Sequence, residues 1–92
     1  MTQGHLQELL NAAQAAPTSE GWQAMSQGRL LTLYAARDSV GLTVARIEAV
    51  KLADTFLYAR TQKGEMYVVR VDDVFAGSVE GVETAKRKAG FV

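Results

Sequence analysis

Ninety-two residues, 48% hydrophobic and 22% charged, fit one ordinary globular domain with a core but little material for a deep active-site cleft. Ten Lys and Arg balance ten Asp and Glu, which removes any bulk electrostatic drive toward nucleic acid and, with the normal apolar fraction, argues against disorder. The absence of Cys excludes disulfides, thiolate metal sites and cysteine nucleophiles. With no apolar run near the roughly 18 residues of a membrane span and no signal-peptide pattern, the expectation is a cytoplasmic protein without membrane contact.

Residues 5–16, HLQELLNAAQAA, predict an amphipathic helix, because Leu6, Leu9, Leu10, Ala13 and Ala16 fall on one stripe. Thr2 is placed to cap it, and Pro17 to end it, since the residue before a proline avoids the helical region. Thr18 or Ser19 then caps a short second helix carrying Trp22 and Met25 on one face and stopping at Gly28. Residues 29–53 admit two readings. In the first, RLLTLYA is a strand, 38–41 a turn and LTVARIEAVKL a long strand, favoured by Thr43, Val44, Ile47 and Val50 but needing a bulge or sharp bend near Arg46. In the second, Leu42, Ala45, Ala49, Leu52, Ala53 and Phe56 make a helical stripe, with Gly41 in a helix–turn–helix turn.

The clearest element is a hairpin of TFLYART (55–61) and EMYVVRV (65–71), joined by Gln62, Lys63 and Gly64. The loop pairs Thr61 with Glu65. One face then carries Leu57, Ala59, Tyr67, Val69 and Val71; the other carries Phe56, Tyr58, Arg60, Met66, Val68 and Arg70. Beyond it, Asp72-Asp73 leads into a tight helical turn at Val74-Phe75. Residues 82–89 predict a short helix with Lys86, Arg87 and Lys88 in its last turn, where the helix dipole favours cations; Phe91 and Val92 follow. Charge alternates along the chain, with an acidic start, a mildly basic middle and an acidic stretch at 72–85 before that basic run.

From Gly28 to Phe75 this succession resembles small SH3-like or Sm-like barrels, which string short strands through tight turns, bend the second strand sharply and follow the fourth with a brief helical turn. Here VDDVFA after GEMYVVR looks like that turn. The resemblance implies a module that binds RNA, DNA, peptide or protein and rarely an enzyme, with the leading helix capping one open end. Positions 33–52 also resemble a winged helix–turn–helix, with Ala36, Val40, Leu42, Ile47 and Val50 where that motif wants its core and the hairpin as its wing. Arg37 departs from the pattern by standing where a small residue packs between the helices.

Chemistry finds little purchase. The single His, His5, has no nucleophile or orienting group near it in sequence, so no triad is readable. One His and no Cys cannot supply a zinc site, Asp72-Asp73 reads as a helix-start cap, and no phosphate-binding glycine loop is present. The expectation is therefore no catalytic residue, no metal and no cofactor. The second hairpin face stands out instead, because Tyr, Phe, Met and Arg are the types that interfaces enrich.

The expected architecture is α+β over a single domain, 1–92: a helical part at 1–28, a β-rich core at 29–75 and a tail at 76–92. An N-terminal helix packs on a small antiparallel β-sheet or SH3/Sm-like barrel, with winged helix–turn–helix as the alternative. The expected function is a small non-enzymatic regulator that docks on a larger protein or nucleoprotein complex, as an adaptor, antirepressor or phage-type inhibitor of the anti-CRISPR kind. Its partner-binding residues would be Trp22, Phe56, Tyr58, Arg60, Lys63, Met66 and Arg70. The alternative is a nucleic-acid-binding regulator using Thr43, Arg46, Lys51 and Lys63, or Tyr58, Arg60 and Arg70 in a barrel. A third is a homo-oligomer pairing through an exposed edge at 29–35 or 65–71.

Overall fold

The structure, a computed structural model, describes residues 1–81. The expected helix at 82–89, its Lys86-Arg87-Lys88 run and Phe91-Val92 lie outside them. Helix α1 spans Gln3–Ala12. Thr2 caps it as expected, its Oγ1 accepting the His5 N–H at 3.0 Å. Of the apolar stripe, Leu6, Leu10 and Ala13 are buried and Leu9 is half-buried, while Ala16 falls beyond the helix and is exposed. The helix ends earlier than Ala16. Gln14 takes a left-handed conformation at φ 53°, and the Ala15 N–H donates to the Leu10 carbonyl at 2.9 Å. Ala16–Pro17 then runs extended as strand β1. Proline is tolerated there because β1 is an edge, paired only with its neighbour β2.

That neighbour corrects the expected second helix. Trp22–Ala24 is strand β2, reached through a turn in which Glu20 and Gly21 both have positive φ. Trp22 and Met25 consequently do not share a face: Met25 is buried and Trp22 lies on the outward side of the sheet.

Residues 29–53 form strands, which overturns the helix–turn–helix reading. Strand β3 is Leu30–Arg37 and β4 is Val40–Ala53. Asp38 and Ser39, at φ 50° and 68°, close the hairpin with the left-handed pair whose twist matches that of the strands. The bend near Arg46 is present: Arg46 sits at φ 57°, and the pairing of β4 slips register between Ile47 and Ala49. These irregularities explain the ambiguity of the sequence. They space the inward residues Val44, Ile47 and Val50 three apart, a helical interval produced by an interrupted strand. Ala45 and Phe56, members of the helical stripe, are exposed.

Strands β5, Phe56–Thr61, and β6, Met66–Arg70, make the expected hairpin. Gly64 supplies the left-handed residue at φ 86°, and the Thr61 N–H donates to the Glu65 carbonyl at 2.9 Å. The tight helical turn falls at Val71–Asp73, slightly earlier than expected, and Val74–Glu80 is a further strand, β7. Asp72 and Asp73 make no capping bond. Asp73 instead receives both of its side-chain bonds from the Arg37 Nε, each at 3.1 Å.

All pairings are antiparallel, in the order β1-β2-β4-β3-β7, with β5 pairing along the second half of β4 and β6 pairing with β5. Of the two expected forms the open sheet is the one adopted: β6 and β7 end it and do not pair with each other, so no barrel closes. β3 lies between β4 and β7, so 29–35 is interior and not the edge that one reading required. The sheet folds over a core of Leu31, Leu33, Ile47, Val50, Leu57 and Val74, which α1 joins through Leu6 and Leu10. Gly77 lets the helix close in, since a Cβ there would lie 2.6 Å from the Leu9 Cδ1. Among the described residues no helix is long and apolar enough to cross a membrane.

Candidate docking face

Strand alternation sends Leu57, Ala59 and Thr61 into the core and Phe56, Tyr58 and Arg60 outward. The register then assembles the outward residues into cross-strand rows. Trp22, Lys51, Tyr58 and Val68 lie side by side across β2, β4, β5 and β6. Ala24, Ala49, Arg60 and Met66 form the next row, and Ala53, Phe56 and Arg70 a third. Phe56, Met66 and Val68 remain exposed, at 43%, 53% and 52%. No described element covers them, because α1 packs beside β7 instead.

Arg60 is the best-held residue of this face. Its Nε donates to the Glu48 carboxylate at 3.1 Å, and its guanidinium lies 5.0 Å from the centre of the Trp22 ring. It reaches that ring across Ala49, which faces outward yet is only 1% exposed. A larger side chain at position 49 would block the path. Lys51 and Arg70 make no ion pair among the described residues, so the face carries a cationic excess over a largely apolar surface.

Six of the seven expected partner-binding residues, Trp22, Phe56, Tyr58, Arg60, Met66 and Arg70, thus share one face. Lys63 does not. It sits on the β5–β6 turn and lines a cavity of about 360 Å³ with Thr43 and Arg46. The alternative nucleic-acid set is split accordingly, since Lys51 stands on the outward face beside Trp22. Sequence reasoning missed Glu48, whose pairing with Arg60 depends on the register slip beside it. It also missed an apolar cleft of about 490 Å³, where Ala35, Val40 and Leu42 face Val68 and Val69 beside the Arg37–Asp73 pair. The apolar residues were visible in the chain, but their meeting depends on the fold-over of β4. Among the described residues no three His, Asp or Glu side chains converge as metal ligands would. No family model, curated protein or solved structure matches this chain.

Proposed function

We propose that this domain is a non-enzymatic docking module, which binds a larger protein through the outward face of β2, β4, β5 and β6. The observation that carries this reading is the set of cross-strand rows, in which Trp22, Tyr58, Phe56, Met66 and Val68 stand with Lys51, Arg60 and Arg70 on a face that no described element covers. Aromatic, Met and Arg side chains dominate interface cores. Trp22 and Arg60 are already stacked on each other, so less ordering entropy is lost when a partner covers them. The unpaired Lys51 and Arg70 favour a partner whose contact surface is apolar with an acidic rim. An adaptor, antirepressor or phage-type inhibitor acting in the cytoplasm on a protein or nucleoprotein complex would need such a face and no catalytic group.

Direct nucleic-acid binding is the second reading, and it is less well supported. A stacking platform needs free rings and free cations; Phe56 with Lys51 and Arg70 can supply them, but the Trp22 ring is occupied by Arg60, itself held by Glu48, and the chain has no net positive charge. The test compares the wild-type protein with Tyr58→Ala as bait in an extract of the source cell, alongside single-stranded and duplex oligonucleotides at low and high salt. The docking reading expects one protein partner that Tyr58→Ala binds at least about tenfold more weakly, a loss of roughly 1.4 kcal/mol. Oligonucleotide binding that falls steeply with salt, with no such partner, would overturn it.

A further inference from the structure

Among the described residues, no strand pairs with the outer edge of β6. Ladder bonds in an antiparallel pair alternate, and residues that do not bond inward point their N–H and C=O groups outward. The Thr61 N–H bonds to the Glu65 carbonyl and the Val71 N–H to the Thr55 carbonyl. The inward-bonding residues are therefore the odd-numbered ones, which leaves the backbone groups of Met66, Val68 and Arg70 facing away from β5. A cleft of about 490 Å³ separates Val68, Val69 and Arg70 from the β3–β4 hairpin, whose Ala35, Val40 and Leu42 form its other wall.

Soluble proteins protect such edges with Pro, Lys, bulges, inward charges or short length. Of the other outer edges, β1 has only two residues, one of them Pro17, and β7 carries an irregularity in its pairing with β3. β6 reads Met-Tyr-Val-Val-Arg, four apolar residues of mostly high β-propensity with a single charge at the end.

We infer that β6 pairs antiparallel with β6 of a second copy, centred on Val68, to form a two-fold dimer with one continuous sheet. The strand is self-complementary in this register. Val68 meets Val68 of the second copy through reciprocal backbone bonds, and Arg70 lies opposite Met66 of the second copy, so no like charges face each other. The same register brings Lys63, at one end of the hairpin, toward the Asp72-Asp73 turn of the second copy, and symmetry repeats the contact. A two-fold axis normal to the sheet sets the two docking faces on the same side, so the dimer presents a doubled surface. The inference stands independently of the docking reading, because its evidence is the edge and not the face.

Sedimentation equilibrium over a wide concentration range tests it. The wild-type chain should run at twice its 10.0 kDa mass. Val68 is half exposed, so Val68→Lys should fold normally by circular dichroism. It sets like charges opposite each other and should raise the dimer dissociation constant by about tenfold or more. Val68→Glu should do the same. Mixing the two variants should restore a dimer, because only pairing of position 68 with itself brings Lys against Glu. Should either variant fail to fold, Met66→Lys replaces it, which sets a like charge opposite Arg70 of the second copy and should weaken the dimer in the same way. A wild-type chain that stays monomeric, variants that dimerise as well as wild type, or no recovery on mixing would each overturn the inference. Larger closed rings would overturn it too, in favour of β6 pairing with β7. Partner capture enters none of these readouts, so failure here is distinct from failure of the docking reading.

Discussion

At the scale of single residues, Arg60 combines two weak interactions. Its contact with Trp22 and its pair with Glu48 are both partly solvated, with Arg60 and Glu48 side chains 45% and 46% exposed. An exposed cation–π contact contributes about 0.5–1 kcal/mol and an exposed ion pair about 0.2–1 kcal/mol. Arg60→Ala should therefore lower stability by roughly 1 kcal/mol, read as a shift of the urea midpoint at constant slope. Partner binding should fall further than stability does, because Trp22 loses the group that fixes its ring. A stability loss of several kcal/mol would instead mark Arg60 as a structural residue. That Arg60 points outward was legible from alternation within its own strand. That it meets Trp22 and Glu48 was not, because those residues are neighbours only through the pairing of β2, β4 and β5.

Among the elements, β4 is the one that shapes the molecule. Its first half pairs with β3 and its second half with β5, and the bend at Arg46 separates them. A non-glycine residue in the left-handed region costs about 1–2 kcal/mol, while glycine in a strand costs about 0.5–1 kcal/mol in chain entropy. The first term is larger, so Arg46→Gly should stabilise the fold by roughly 0.5–1 kcal/mol, measurable as a rise in the urea midpoint. A loss of stability would mean that the Arg46 side chain holds the bend in place. The need for a bend was readable from the broken alternation at 42–52. Its consequence was not, because inward residues spaced three apart mimic a helix until both partner strands are known. α1 shows the converse: the Thr2 cap and the Leu6–Leu10 stripe are local, and both are where the sequence placed them. Only the end of α1 shifted, because Ala16–Pro17 pairs with β2.

For the whole molecule, the open sheet predicts a pattern of amide exchange. In dilute solution the N–H groups of Met66, Val68 and Arg70 should exchange quickly, while those of Tyr67 and Val69, bonded to β5, should be protected. Equal protection across β6 at all dilutions would mean that its outer edge is covered within one copy. The Arg37–Asp73 pair links the β3–β4 hairpin to the turn before β7, contacts 36 residues apart in the chain. It is largely exposed on the arginine side, so it orients these segments more than it stabilises them.

The sequence by itself determined what rests on near neighbours: the capped amphipathic helix, the hairpin with its glycine turn, the alternation that sends Phe56, Tyr58 and Arg60 outward, and the balanced charge. Only the tertiary structure decided that Trp22–Ala24 is a strand, that residues 29–53 are two strands, that β3 is interior, and that no described strand pairs with the outer edge of β6. The reason is the range of the interactions. Helix caps, turns and side-chain periodicity are set within a few residues. A three-residue strand, by contrast, has too little propensity of its own and exists because Lys51 and Ala49, more than twenty residues away, supply its ladder partners. The candidate face divides in the same way, its residue types readable along the chain and its assembly dependent on four strands meeting in register.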